Sequence, residues 1–185
     1  MTLLLITGHT AAGKTATADA LQIMRPNLTI FEQDKVCGPM TGAALSLVGI
    51  SSHTRGGTAY ARLRDATYET LLECARPVLS HGGDVALVAP YWPEMNRRPA
   101  AAPLDFQTVA EGLGHDVRTV WLTCSPEVRK RRLWQRAPMP VSDEDNTESW
   151  IESLQDPQET DVDLLLNTDS TTPEDIALQV DALLG

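Results

Sequence analysis

The sequence predicts a three-layer α/β fold built on a mainly parallel sheet of five strands. Three observations predict it. Apolar strand-like runs alternate with helix-compatible stretches along the whole chain, the order of right-handed βαβ units. One run, Asp84 to Ala89 (DVALVA), is almost continuously apolar, which suits a strand covered on both faces. The first run, Leu3 to Thr7, leads directly into Gly8-His9-Thr10-Ala11-Ala12-Gly13-Lys14-Thr15, which reads G-x-x-x-x-G-K-T, and then into the helix-compatible Ala16 to Met24. Strand, glycine loop and helix in that order are the context a phosphate-binding loop requires.

Each element follows in turn. Residues 13 to 24 are expected to be the first helix, ended by Pro26. Asn27 to Phe31 is a short second strand, with Glu32-Gln33-Asp34 at its carboxyl end. Residues 38 to 57 are rich in Gly, Ser and Thr and read as a mobile loop with a short helical piece around Ala43 to Val48. Thr58 to Ser80 has helical spacing, with Tyr60, Leu63, Thr67, Leu71, Cys74 and Val78 near one face, and His81-Gly82-Gly83 stops it. Asp84 to Ala89 is the third strand, and Leu104 to Leu113 is a helix closed by Gly114. Asp116 to Thr123 is the fourth strand. Ser125 as N-cap and Pro126 at the first helical position then open a basic helix that Pro138 and Pro140 break. Asn146 to Leu154 is a short acidic helix, Val162 to Asn167 the fifth strand, and Thr172 caps a final helix to Leu184.

Composition narrows the function classes. The chain has 185 residues, enough for one domain with a full core, and a single domain over 1–185 is expected. No apolar run approaches the ~18 residues of a membrane span, so no membrane partner is expected. Cys37, Cys74 and Cys124 are widely spaced and form neither a metal pattern nor a disulfide framework, which points to a reducing cytoplasm. A net charge of −10 argues against a nucleic-acid footprint. That charge is uneven: residues 142 to 163 hold nine acids and no base, while Arg129-Lys130-Arg131-Arg132 with Arg136 is a basic cluster suited to a small polyphosphate. The oligomeric state is left open.

The loop itself specifies a ligand. Gly8 and Gly13 let the backbone wrap a phosphate, so that the N–H groups of His9, Thr10, Ala11, Ala12 and Gly13 can turn toward it. Lys14 would reach the β- and γ-phosphates and the Thr15 hydroxyl would ligate Mg²⁺. The helix that follows adds its positive end. ATP and Mg²⁺ are therefore the expected cofactors. In a parallel sheet, ligands lie beyond the carboxyl ends of the strands, where the loop, Asp34, Tyr91-Trp92, Ser125 and Asn167-Thr168-Asp169 all fall.

Four stretches, LLLITGHTAAGKTATADAL, the Asp after strand two, SPEVRKRRLWQRA and DLLLNTDSTTPEDIALQVDALL, resemble in their order the small P-loop kinases: the gluconate kinase, chloramphenicol phosphotransferase, zeta-toxin and adenylylsulfate kinase branches. The resemblance spans nearly the whole chain and implies a nucleotide-kinase-like P-loop NTPase fold with a short lid at about 129–150. It implies that Asp34 accepts the acceptor hydroxyl's proton or orients Mg²⁺, and that Arg129, Arg132 and Arg136 lead into the lid, where a guanidinium meets the γ-phosphate. It also implies that the loop at Thr168 packs near the adenine, the alternative being simple capping of the last helix. One departure stands out. The neighbouring strand ends in Ala89-Pro90, where many P-loop proteins place a metal-binding Asp, and Asp84 lies at the wrong end. Asp34 would then serve both metal and base.

The acceptor is expected between Asp34, the 38–57 segment, the start of the long helix and Tyr91-Trp92, with Arg55, Tyr60, Arg64 and Trp92 as contacts. Tyr60 and Arg64 share a helix face. Arg64 either binds an anionic or hydroxyl-rich acceptor or pairs with Asp65. Tyr91 and Trp92 either stack on a ring or pack. The apolar stretch Gly38 to Leu45 is suited to lining a pocket. The expected activity is transfer of the γ-phosphate of ATP to a hydroxyl of a metabolite or antibiotic-like molecule. A nucleoside or nucleotide kinase, a P-loop NTPase with a protein partner, and a toxin-like kinase are the alternatives.

Overall fold

The first apolar run forms strand β1 (Thr2–Gly8), and the glycine loop after it opens helix α1 (Lys14–Met24). Strand β2 (Thr29–Glu32) runs into a single helical turn α2 (Gln33–Val36), then α3 (Gly38–Leu47) and the long α4 (Gly57–Ser80). Strands β3 (Val85–Val88) and β4 (Asp116–Thr123) follow, then α5 (Pro126–Arg136), β5 (Leu164–Asn167) and α6 (Pro173–Leu184). The computed structural model describes residues 2–51, 57–91, 114–136, 151–152 and 154–185, with the backbone alone at Gly57 and Arg136.

The strands form one five-stranded sheet in the order β2-β3-β1-β4-β5. Every neighbouring pair is parallel, so the sheet is wholly rather than mainly parallel. The register sets Ile6 beside Val88 on one side and Val120 on the other. Because side chains alternate across a strand, this sorts the sheet into two faces. Leu4, Ile6, Ala86, Val88, Val120 and Leu122 face α1 and α6, meeting Ala18, Leu21, Ile176, Ala177 and Val180. Leu3, Leu5, Val85 and Leu87 face α4, meeting Tyr68, Leu71, Leu72, Ala75 and Leu79. A sheet covered on both sides is the three-layer arrangement expected, and each fully buried Leu or Ile in it contributes about 1.5–3 kcal/mol.

Local chemistry sets the ends of the elements. The Ser125 hydroxyl accepts from the Val128 N–H at 3.3 Å and the Thr172 hydroxyl from the Asp175 N–H at 3.1 Å, so both expected N-caps form. Gly82, at φ +81°, ends α4 as the sequence indicates.

The structure corrects four boundaries. The segment after Asp34 is helical from Gly38 onward, five residues earlier than expected; Pro39 suits a first turn and Ala43 and Ala44 carry the helix. Strand β2 starts two residues later and ends one residue later than expected, so Glu32 ends the strand and Asp34 sits in a helical turn. Strand β3 is shorter than the apolar run, and β5 begins at Leu164 rather than Val162. On α4 the buried stripe adds Tyr68, Leu72, Ala75 and Leu79 to Thr67 and Leu71, leaving Tyr60, Leu63, Cys74 and Val78 only half-buried. The helix expected at 104–113 and most of the one at 146–154 lie outside the described residues, as do 52–56, Trp92 and the lid beyond Arg136. Among the described residues no helix is long and apolar enough to cross a membrane.

Candidate nucleotide and acceptor sites

The loop between β1 and α1 is built by three left-handed residues. Gly8 has φ +135°, Ala11 φ +60° and Gly13 φ +100°. At Gly8 the requirement is absolute, since a Cβ there would sit inside the Leu122 carbonyl of β4. Successive backbone N–H groups turned by such residues make a concave donor set for an anion. Gly13 also occupies the N-cap of α1, where it brings no side chain to the first-turn N–H groups, and the first turn carries no acid. Those donors and the positive end of the helix therefore suit a phosphate. The Lys14 ammonium folds over the loop and donates to the carbonyls of Gly8 (2.7 Å) and His9 (2.8 Å). Thr15 lies exposed in the first turn.

His9, inside the loop, is held rather than presented. It is buried, stands edge-on to Trp121 with centroids 5.1 Å apart, and its Nε2 lies 3.0 Å from the Gln155 carbonyl and 3.7 Å from Asp156. Asp156 in turn accepts from the Trp121 indole N–H at 2.8 Å and from the Thr123 hydroxyl. Burial lowers the His9 pKa below its usual 6.5, aided by the charges of Arg129 and Lys14 and opposed by the Gln155 carbonyl and Asp156.

Of the arginines on α5, Arg132 reaches the loop. Its guanidinium donates to the Ala11 carbonyl (3.1 Å), the Thr168 hydroxyl (2.9 Å) and the Thr168 carbonyl (2.5 Å). Thr168 donates onward to Ala12 and is packed against Gly13. Beside these groups opens a cavity of about 310 Å³, lined by Gly13, Thr17, Arg132, Gln135, Thr168 and Pro173, among others. Arg129 is only 2% exposed and donates to the Cys124 carbonyl at 3.3 Å, and its charge acts on His9 of the loop. Burial raises the Cys124 thiol pKa, consistent with a packed thiol. The side chain of Arg136 lies outside the described residues.

On the other side of the sheet, past β2, a second and smaller pocket of about 40 Å³ is lined by Gln33, Asp34, Cys37, Gly38, Thr41, Gly42, Tyr60, Arg64 and Thr67. Three expected acceptor contacts, Asp34, Tyr60 and Arg64, thus share one pocket. Arg55 and Trp92 lie outside the described residues. Arg64 takes the second of its two expected roles: its Nε (3.1 Å) and Nη2 (2.8 Å) both donate to Asp65. Tyr91 is fully buried against Tyr68, with ring centroids 4.8 Å apart, so it packs in the core and stacks on no ligand. No carboxylate ends β3; the Thr7 hydroxyl donates to the Pro90 carbonyl there.

Several contributors were missed. Thr17, Gln135 and Pro173 come to the large cavity from three separate helices, and Gln33, Cys37 and Thr67 to the small one, so no local spacing signals them. Glu32 is a nine-tenths-buried carboxylate whose charge Lys35 meets, with Asp19 3.2 Å from the same ammonium; an acid ending an apolar strand is the one signal that marks it.

Comparison with known proteins agrees with this architecture. A family model described as an AAA domain, AAA_33, matches residues 3–159. A candidate kinase of Chloroflexus aurantiacus has 20% identity and a TM-score of 0.65, covering 99% of this chain and 96% of that one. The Deinococcus radiodurans tunicamycin resistance protein has 19% identity and a TM-score of 0.61, over 99% and 95%. The Mycobacterium tuberculosis APS kinase, solved with AMPPNP and APS, has 18% identity and a TM-score of 0.58, over 99% and 96%. A comparison with curated proteins gives no match. With the P-loop in place on a five-stranded parallel sheet and the family model spanning most of its length, the chain belongs to the AAA domain family of P-loop proteins, with the fold of the small kinases.

Proposed function

We propose that the protein transfers the γ-phosphate of ATP to a hydroxyl of a small molecule. The observation that carries this reading is a pair of pockets, one bordered by Gly13 of the P-loop and the other, past β2, containing Asp34. The larger lies toward β5, between the loop, Arg132 and Thr168; the smaller lies beyond β2 and contains Asp34. A nucleotide hydrolase needs the first. A transferase needs both, because phosphoryl transfer rests on holding donor and acceptor in line.

In this reading the loop N–H groups and Lys14 hold the β- and γ-phosphates, and the adenosine occupies the larger cavity. Arg132 gives up its loop carbonyls for phosphate oxygen, where a planar guanidinium stabilises developing charge. Asp34 orients the acceptor hydroxyl and takes its proton. The donor set at the end of α1, open at its first turn and carrying the Thr15 hydroxyl, fits a Mg²⁺ nucleotide with Thr15 and Asp34 as the protein's contacts. Such an ion keeps most of its ligands from phosphate and water, and when bound it neutralises charge between the β- and γ-phosphates. The single domain, the lid at about 129–150 and a cytoplasmic setting belong to the same proposal.

The test is ADP release with ATP and Mg²⁺ across hydroxylated antibiotics, sugars, sugar acids and nucleosides, with the phosphorylated product identified by mass spectrometry. Lys14→Ala is expected to abolish turnover. Asp34→Asn is expected to lower transfer by about 10²- to 10⁴-fold while ATP affinity stays close to that of the wild type. Near-normal transfer by Asp34→Asn would remove its assigned role. Steady hydrolysis indifferent to every acceptor would instead favour an NTPase.

A further inference from the structure

The small pocket carries a charge pattern that bears on what it accepts. Its described lining contains one acid, Asp34, and one base, Arg64. Arg64 is already engaged: two of its nitrogens donate to one oxygen of Asp65, the next residue of α4. Neighbours i and i+1 on a helix do not face each other, so this contact requires the Arg64 side chain to bend round toward Asp65. The pair is about three-quarters buried, at 25% and 27% side-chain exposure, and is therefore less screened than a surface ion pair. Asp65 does not line the pocket itself. Lys35, the nearest base in sequence to Asp34, is taken up by Glu32 and Asp19.

We propose that Asp65 sets the substrate class of this pocket: by holding Arg64, it restricts the acceptor to a hydroxylated molecule that is neutral or cationic and excludes one with a carboxylate, sulfate or phosphate near the reacting hydroxyl. An anionic acceptor would have to displace one carboxylate from Arg64 merely to install another. It would also bring a second negative charge beside Asp34. A neutral polyol or amino sugar meets neither cost, and Gln33, Thr41, Tyr60 and Thr67 supply neutral polar groups around it. The substrate assignment rests on the kinase reading; the charge pattern does not.

The test reads the charge of the pocket without knowing the acceptor. Thr41 lines the pocket and is half-buried, so Thr41→Cys gives a thiol reporter, with Ser80→Cys at the exposed far end of α4 as the reference. Each is labelled with 2-aminoethyl and 2-sulfonatoethyl methanethiosulfonate, and rates at positions 41 and 80 are read by peptide mass. Relative to position 80, the ammonium reagent is expected to react faster at position 41 than the sulfonate. Asp65→Asn in the Thr41→Cys background should shift that ratio toward the sulfonate by roughly fivefold, the size a freed unit charge gives at this range. Arg64→Gln should shift it the other way and serves where Asp65→Asn fails to fold. A sulfonate preference in the wild-type background, or a ratio that neither substitution moves, would overturn the proposal. Failure of the kinase reading shows separately, as absence of acceptor-dependent ADP release, and leaves the labelling ratio intact.

Discussion

His9 and Asp156 show how much a single residue fixes in this loop. Burial disfavours the charged form of His9, so its folded-state pKa lies below the unfolded value near 6.5. The sign of the linkage follows: the unfolded chain binds the extra proton first, so stability is unaffected above about pH 6.5 and falls as pH drops below it toward the lowered pKa. Melting temperatures followed from pH 7.5 to 5.5 should decline, and His9→Gln should flatten that decline; an equal slope in the variant would show that another group dominates. Asp156 satisfies the indole N–H of the fully buried Trp121. Asp156→Ala leaves that donor unmet and should cost about 1–3 kcal/mol by denaturant unfolding. A loss within error of zero would mean that water replaces the carboxylate.

At the scale of elements, the junctions carry the design. A Cβ at Gly8 would meet the Leu122 carbonyl of β4, and Gly8→Ala should prevent the loop from closing at all, giving little soluble protein and no cooperative unfolding transition. A well-folded Gly8→Ala protein would show that the two strands can separate. Helix α6 packs along α1 through Ile176, Ala177 and Val180 and so supports the helix that the P-loop opens. Its N-cap hydroxyl, Thr172, also donates to the Asp175 carboxylate at 2.8 Å. Thr172→Ala should cost about 1 kcal/mol of stability, measured by chemical denaturation, with turnover unchanged per folded molecule.

For the molecule as a whole, the strand order separates the two pockets: β1 lies at the centre, β4 and β5 to one side, β3 and β2 to the other. Nucleotide binding should therefore be separable from acceptor chemistry. ATP at about a hundred times its Kd should stabilise the fold by about 2.7 kcal/mol, read as a thermal shift. That shift should survive Asp34→Asn, shrink in Arg132→Ala and vanish in Lys14→Ala. Loss of the shift in Asp34→Asn would show that its contact with the Mg²⁺ nucleotide, rather than its hold on the acceptor hydroxyl, is its main role.

The sequence by itself determined the class of fold and the phosphate loop. Both are written in local patterns: strand–helix alternation, the continuous apolar run at β3, and glycines at left-handed backbone positions that favour glycine. It also marked Asp34, Tyr60 and Arg64, because a carboxylate after a strand and two residues four apart on a helix are local relations. Tertiary structure alone decided the rest. The helix after Asp34 is the exception: it buries only Leu45, so Pro39 and the alanines, which are local signals, carry it. Burial converted Tyr91 from a candidate contact into core. Whether Arg64 answers a ligand or Asp65, and that Arg132 donates to the loop while Arg129 donates to Cys124, depends on side-chain geometry that spacing does not encode. The linings of both pockets join residues distant in the chain, and only the closed sheet brings them together.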